Sequence, residues 1–154
     1  PVLLDLNRLG MWGHSMGGGI GARVAVVAPE IKAFVLFAPL SADVKDNFYE
    51  LPKSEIERLE KIYGADTRPD EIYKQISPIN YFAEVSSPIQ LHHGTEDKDV
   101  PISFSEKMHS ELKRLKKQVE FFVYPGESHE FVDGWNLAAE RALQFFDTYV
   151  KNTE

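Results

Sequence analysis

The stretch Arg8-Leu9-Gly10-Met11-Trp12-Gly13-His14-Ser15-Met16-Gly17-Gly18 decides the fold of this chain. The segment at residues 8–12 is short and mostly apolar and is followed by Gly13, a pattern that predicts a buried strand. Small residues from Gly17 to Ala28 then indicate a helix that packs closely on a sheet. The motif G-x-S-x-G therefore stands where a strand turns into a helix, the context in which it is informative.

This context suggests chemistry at Ser15. A tight strand-to-helix turn holds the serine in a strained, accessible position, and the flanking glycines let neighbouring elements approach closely. The helix begins at its positive dipole end, where the backbone N–H of Met16 is free to stabilise an oxyanion. We therefore predict Ser15 as a nucleophile and Met16 as an oxyanion donor.

The rest of the chain alternates between strand and helix patterns. Apolar runs at residues 33–38, 89–92 and 119–124 read as strands that are buried on both faces. Helical spacing of apolar residues follows the third strand, at Phe104, Met108, Leu112 and Leu115, and again in the last helix, at Ala138, Ala142, Phe145, Phe146 and Tyr149. The prediction is an α/β fold with a mainly parallel sheet of about four strands flanked by helices, as one domain over residues 1–154.

Residues 40–87 interrupt this alternation and predict a helical lid. Ser54 and Glu57 form a capping-box pattern for a helix that ends at Gly64, and a second short helix is expected between Pro69 and Pro78. Phe48, Tyr49 and Tyr81 are candidate substrate-binding residues in this segment, and packing within the lid is the alternative role for these aromatic residues.

Two further loops carry candidate catalytic groups. Residues 93–101, His-Gly-Thr-Glu-Asp-Lys-Asp-Val-Pro, follow the third strand, and we predict Asp97 as the acid over its neighbours Glu96 and Asp99. His129 follows the fourth strand, where an imidazole is placed to act as a general base. Of the other histidines, His14, His92 and His93 are predicted to be structural and His109 to lie on a helix surface. His14 also lies beside Ser15 and is a candidate pocket residue.

The order Ser15, Asp97, His129, each after a separate strand, is typical of the α/β-hydrolase arrangement. Beyond this order, residues 7–18, Ser77-Pro78, residues 93–101 and residues 124–129 resemble the prolyl oligopeptidase family over nearly the whole chain. The resemblance implies Ser15 as nucleophile, Asp97 as acid and His129 as base. Many relatives have Gly-His-Gly where this chain has Ser128-His129-Glu130, so charge lies near the predicted site.

The resemblance also implies parts that this sequence does not show. Relatives have four more strands upstream, and a loop after one of them, often His-Gly-Gly, supplies a second oxyanion donor. No such segment is present in these 154 residues, so the predicted fold is a partial one. The strand at residues 8–12 would then be a sheet edge, and we expect it to be covered by a second copy of the chain in a homodimer or by an amino-terminal fragment.

The predicted activity is hydrolysis of a carboxylic ester or amide through an acyl-Ser15 intermediate, with an ester favoured because no amino-terminal propeller is seen. No metal or organic cofactor is required. Two alternatives remain: a nucleotide-binding module, from Gly17, Gly19, Ala22 and Asp43, and a hydrolase-like fragment without turnover.

Bulk composition limits the other possibilities. A net charge of −7 argues against nucleic acid as a partner. The longest apolar run, at residues 33–40, is far too short to span a membrane. The chain has no cysteine, so disulfides and thiol chemistry are excluded. No charged, apolar leader opens the sequence, which favours a cytoplasmic location.

Overall fold

Four parallel strands form one sheet in the order β1-β2-β3-β4, as the alternating pattern predicts. The structure, a computed structural model, describes residues 5–49, 53–54, 57–58, 61 and 70–151, without the side chains of residues 48, 49 and 70. The strands are β1 (Leu9–His14), β2 (Ile31–Phe37), β3 (Ile89–Gly94) and β4 (Val119–Tyr124). Each predicted strand is present, with bounds that differ by at most two residues.

Helices connect and cover the strands. They are α1 (Met16–Val27), α2 (Val44–Tyr49), α3 (Asp70–Ile76), a 3-10 helix (Pro78–Glu84), α4 (Ile102–Arg114) and α5 (Trp135–Phe146), which continues as a π-helical turn (Asp147–Lys151). None of the helices in the described ranges is both long and apolar enough to cross a bilayer.

The two faces of the sheet bury different helices because side chains of a strand alternate in direction. In β2, Phe34 and Leu36 belong to a core that also contains apolar residues of α1, the 3-10 helix and α4. Val35 and Phe37 point into a second core that α5 covers. Because helices cover both faces of this parallel sheet, the loops that follow the strands lie together at its carboxyl edge.

Residues 40–87 leave the sheet between β2 and β3, and α2, α3 and the 3-10 helix lie within them. Ser77 connects these pieces, because its Oγ donates to the Tyr73 carbonyl at 2.6 Å and accepts from the Val44 N–H at 2.9 Å. Lys53 is already helical, so the helix there begins before the predicted cap at Ser54. Its predicted apolar face and its end at Gly64 lie outside the described residues. The lid role of this segment therefore stays a prediction.

Candidate active site

Ser15 occupies the turn between β1 and α1 in a backbone conformation that L-residues rarely adopt. Its φ is 55° and its ψ is −119°. The turn is held from both sides, since the Ser15 N–H donates to the Phe37 carbonyl at 2.9 Å and the Ser15 carbonyl accepts from the Leu40 N–H at 3.1 Å. Such a conformation costs about 1–3 kcal/mol, so the surrounding hydrogen bonds must maintain it. The serine is fixed at the carboxyl end of β1.

We call this turn, residues 13–17, the elbow. Its tight shape depends on glycines. A Cβ added to Gly13 would lie 2.4 Å from the carbonyl oxygen of Gly17, and one added to Gly18 would lie 2.8 Å from Pro39. Both positions therefore accept only hydrogen. A Cβ on Gly17 would meet nothing within 4 Å, so this glycine of the motif is not required by space.

The carboxylate of Asp97 lies after β3 and is surrounded by donors. Its Oδ1 accepts the N–H groups of Asp99 and Val100 at 2.9 and 2.8 Å. Its Oδ2 accepts from Nδ1 of His129 at 2.8 Å and lies 3.3 Å from Nε2 of His93. With both oxygens engaged, the carboxylate has one orientation, and that orientation is aimed at His129.

These contacts also set the protonation state of Asp97. Burial of Asp97 acts to raise the pKa of its carboxyl, but the hydrogen bonds from the Val100 N–H, His129 and the Asp99 N–H outweigh burial and hold that pKa below its ordinary value. The group is therefore ionised at neutral pH. An ionised carboxylate can orient an imidazole and stabilise its cationic form.

The loops that carry Asp97 and His129 are clamped together just beyond the strand ends. A Cβ on Gly94 would lie 2.2 Å from the carbonyl oxygen of Glu127, and that same oxygen accepts the Glu96 N–H at 2.9 Å. The Gly126 N–H donates to Oγ1 of Thr95 at 2.9 Å. The acid–histidine distance therefore depends on main-chain packing between the two loops as well as on the side chains.

His14, predicted as a pocket residue, contacts the histidine loop. Its Nε2 donates to the main-chain carbonyl of His129 at 2.9 Å, and the two imidazole centroids lie 4.5 Å apart. Because His14 directly precedes Ser15, this contact brings His129 close to the elbow. Within the described part of the chain, no hydrogen bond joins the Ser15 hydroxyl to His129. Nucleophile–base hydrogen bonds are often long in unliganded enzymes and shorten when substrate binds.

His93, predicted to be structural, lies against the Asp97 carboxylate and so belongs to this cluster. It is fully buried, and its Nε2 donates to the Val100 carbonyl at 3.0 Å, next to Asp97. Its Nδ1 accepts from Oγ of Ser105 at 2.7 Å. Burial lowers the pKa of His93, and this effect outweighs the hydrogen bond to Val100 and the charge of Asp97, which raise that pKa. The ring is therefore neutral, and its Nε2 lies against the Asp97 carboxylate. Its position four residues before Asp97, at the end of β3, is the signal that could have identified it.

The predicted aromatic substrate residues are not brought to this cluster by any described contact. The side chains of Phe48 and Tyr49 lie outside the described residues. The Tyr81 hydroxyl donates to the Gln75 carbonyl at 2.9 Å, which joins the 3-10 helix to α3. The backbone of Met16 does begin α1, so its N–H points out of the helix start beside Ser15.

Two other readings of these residues can be examined in the geometry. Asp43, the acid in the nucleotide-binding alternative, accepts from Nζ of Lys107 at 2.8 Å, and a Cβ on Gly19 would contact Leu40 at 3.0 Å. These groups are thus used in packing.

Asp97, Asp99 and His129 each offer one atom within 4.8 Å of the others and could hold a metal ion, but a metal on Nδ1 of His129 would replace its bond to Asp97.

Comparison with known proteins places this geometry in a family. The "Uncharacterized peptidase YtmA" of Bacillus subtilis is 28% identical over 140 residues, which cover 89% of this chain and 53% of that protein. A Mycobacterium tuberculosis puromycin-hydrolyzing peptidase superposes with a TM-score of 0.83 at 23% identity, over 99% of this chain and 23% of that one. A Pyrococcus horikoshii acylaminoacyl peptidase superposes with a TM-score of 0.79 at 22% identity, over 97% and 25%.

The two structural likenesses show the α/β-hydrolase fold. The chain spans about half the length of the Bacillus relative and about a quarter of the two peptidase chains. The sequence profile of the prolyl oligopeptidase family matches residues 2–153. Since this match extends over nearly all of the sequence, the chain belongs to the prolyl oligopeptidase family.

Proposed function

We propose that this chain carries the catalytic triad of a serine hydrolase that cleaves a carboxylic ester or amide bond, peptide bonds included. Ser15 is the nucleophile, His129 the general base and Asp97 the acid. The observation that carries the proposal is the 2.8 Å hydrogen bond between Nδ1 of His129 and Oδ2 of Asp97, formed between two loops that meet beside the strained elbow. Membership of the prolyl oligopeptidase family supports it.

The chemistry follows from the arrangement. As Oγ of Ser15 attacks the substrate carbonyl carbon, Nε2 of His129 takes the hydroxyl proton, and Asp97 stabilises the resulting imidazolium. The bond to the leaving group then breaks while His129 returns the proton to that group. In the second half of the reaction, His129 takes a proton from water as the water attacks the acyl carbon. The bond between the acyl carbon and Oγ of Ser15 then breaks, the carboxylic acid leaves, and His129 returns the proton to Oγ. No metal or organic cofactor takes part, so EDTA should leave the activity unchanged.

The N–H of Met16 is the first candidate for oxyanion stabilisation. In α1 the first intrahelical bond runs from the Gly19 N–H to the Ser15 carbonyl at 3.1 Å, so the N–H of Met16 has no acceptor inside the helix. It lies at the positive end of a twelve-residue helix. An oxyanion that forms on the carbonyl attacked by Ser15 is within the reach of this group.

An apolar cavity of about 210 Å³ beside the elbow is the candidate pocket for a substrate side chain. Met16 and Ile20 of α1 line one wall, and Leu40, Val44 and Asn47 line the other. The second wall belongs to the segment between β2 and β3. This supports the idea that residues 40–87 shape substrate preference.

Labelling with a fluorophosphonate probe tests the proposal. The probe should modify Ser15 of the purified protein, the Ser15→Ala variant should not react, and His129→Ala should react far more slowly because the hydroxyl is no longer activated. Ser110→Ala and His109→Ala are matched controls, since both residues lie on α4 outside the site, and both variants should label like the wild type. An unlabelled but folded wild type would favour the alternative of a hydrolase-like fragment without turnover.

Parallel assays with a p-nitrophenyl ester and an aminoacyl p-nitroanilide would separate the two substrate classes. Hydrolysis of both, each abolished by Ser15→Ala, is expected of a site that forms an acyl-serine. Turnover of either substrate that survives Ser15→Ala would contradict the mechanism.

We also propose that the open edge of β1 is covered by another polypeptide segment, either a second copy or a preceding fragment. Among the strands that the structure describes, β1 pairs with β2 alone, and Trp12 of β1 is 47% exposed. On the other face of the sheet, α1 exposes Met16, Ile20 and Val27. Light scattering combined with hydrogen exchange at residues 9–14 tests this. A monomer whose β1 amides exchange rapidly would contradict the proposal.

A further inference from the structure

A polar cavity of about 310 Å³ lies between β4 and α5, apart from the proposed active site. Gln90, Glu120, Phe122, Arg141, Gln144 and Thr148 are among the residues that line it, and we call it the α5 cleft. Glu120 stands four residues before Tyr124, where β4 ends, so it lies about 13 Å along the strand from the catalytic edge. The triad makes no use of this cleft.

One side of the α5 cleft presents the cation of Arg141. The guanidinium carbon of Arg141 lies 4.2 Å from the ring centroid of Phe122 and 5.3 Å from that of Tyr124. No ion pair of Arg141 with a carboxylate occurs among residues 5–49 and 70–151. Contact with the two rings holds the guanidinium in place, and one N–H group interacts with the Tyr124 hydroxyl, so the remaining N–H groups can bind a planar anion.

The other side of the same cleft presents an oriented carboxylate. Oε2 of Glu120 accepts from Nε2 of Gln90 at 2.8 Å, and no lysine, arginine or histidine of the described ranges pairs with this carboxylate. Gln90 itself is buried, with 2% of its surface exposed. The amide of Gln90 therefore holds the Glu120 carboxylate in place, and Glu120 lines the cleft.

A buried relay keeps both walls in position. The Tyr124 hydroxyl donates to Nδ1 of His92 at 2.7 Å, and Nε2 of His92 donates to Oε1 of Gln90 at 2.8 Å. These bonds use the acceptor oxygen of the Gln90 amide, so its NH₂ group must face Glu120. In each of these hydrogen bonds the donor and the acceptor are therefore fixed. The relay holds the side chains of the cleft in place without contacts from the loops of Asp97 and His129.

We propose that the α5 cleft binds a small zwitterion with the chemistry of a free α-amino acid. The ligand carboxylate pairs with the guanidinium of Arg141, and the ligand ammonium pairs with the carboxylate of Glu120. The side chain of the ligand packs against Phe145 and Tyr149, which also line the cleft. Arg141 and Glu120 carry opposite charges and both line the α5 cleft, which matches a ligand that carries both charges within a few bonds of each other.

Calorimetric titration of the folded chain with L-leucine tests this proposal. Two analogues serve as probes of the same shape with one charge each: 4-methylpentanoate, which lacks the ammonium, and isopentylamine, which lacks the carboxylate. L-leucine should bind saturably at one site, and each analogue should bind at least about tenfold more weakly, since each loses one of two charge-assisted contacts. Equal affinity of either analogue, or no saturable binding of L-leucine, would overturn the proposal.

Two variants locate the binding. Arg141→Met keeps an apolar chain over Phe122 and removes the charge, and Glu120→Gln is a change at an exposed side chain that leaves the fold intact. Each should weaken L-leucine binding about tenfold, while Arg114→Met, a matched control on α4, should bind L-leucine like the wild type. Unchanged affinity in Glu120→Gln would refute the site even if Arg141→Met failed to fold. Both outcomes are separate from fluorophosphonate labelling at Ser15.

Discussion

The imidazole of His14 donates from its Nε2 to the main-chain carbonyl oxygen of His129 at 2.9 Å, across 115 residues of sequence. His14 is the last residue of β1, directly before Ser15, and His129 lies on the loop after β4. Strands β1 and β4 are the two edges of the sheet, so no strand pairing holds these ends together. The contact therefore joins the elbow to the loop of His129, the proposed base, and we propose His14 as a positioning residue.

Removing this donor should slow catalysis without affecting substrate binding. In His14→Phe the ring can still pack between Trp12 and His129, but nothing donates to the His129 carbonyl, and we expect kcat to fall about 10- to 10²-fold with KM nearly unchanged. His14→Gln retains an N–H donor and should recover much of the rate. Steady-state kinetics on an ester substrate measure both, and equal rates in the two variants would show that the hydrogen bond has no positioning role.

The choice of Asp97 over its acidic neighbours leads to a second prediction. Asp97→Asn places an amide next to Nδ1 of His129, favours the wrong tautomer and should lower kcat about 10³- to 10⁴-fold. Glu96→Gln and Asp99→Asn should each stay within about tenfold of the wild type, since Asp97 is the one of these three carboxylates that is hydrogen-bonded to the imidazole. A larger loss in Asp99→Asn than in Asp97→Asn would reassign the acid.

The elbow and the sheet could be predicted from sequence because local rules determine them. Continuous apolar runs, glycine-rich turns and helical spacing each act over a few residues, and all four strands were found where these signals lie. The sequence also favours Asp97 over Glu96 and Asp99, and in the structure Asp97 is hydrogen-bonded to His129. The functional roles of these residues remain predictions until the activity is measured.

The contacts that hold the site together could not be predicted, since each depends on two distant segments. The role of His14 requires the position of a carbonyl 115 residues away. The need for Gly94 comes from the main chain of Glu127, and the role of His93 comes from the fold of the loop after β3. No periodicity or propensity encodes such proximity, which arises only when the sheet has ordered its strand ends.

Two glycines of the G-x-S-x-G motif should differ in their tolerance of alanine. Gly13→Ala forces a Cβ to within 2.4 Å of a main-chain oxygen that cannot move freely, so we expect a loss of about 1–3 kcal/mol in the free energy of unfolding. Gly17→Ala meets open space inside a helix and should stabilise by about 0.5–1 kcal/mol. Urea unfolding of both variants measures the contrast. Equal destabilisation would mean that the elbow is packed differently.

The buried histidine of the relay should make stability depend on pH. Burial and, to a smaller degree, the charge of Arg141 lower the pKa of His92 from 6.5 to about 3 in the folded state. Between these two values the unfolded chain binds a proton at His92 and the folded chain does not. The free energy of unfolding should therefore fall as pH decreases from 6.5 towards 3, by up to about 1.4 kcal/mol per pH unit from this residue alone.

Comparison with His92→Gln isolates that contribution, because other titrating groups are common to both proteins and cancel in the difference. The stability advantage of the wild type over the variant should shrink steadily as the pH is lowered from 6.5 to 4, as measured by urea unfolding at each pH. Histidine ring NMR shifts offer a check that does not require the variant to fold, since His92 should stay neutral down to pH 4. A ring that titrates near 6.5 would mean that the relay admits a charged imidazole, and the pH dependence would then vanish.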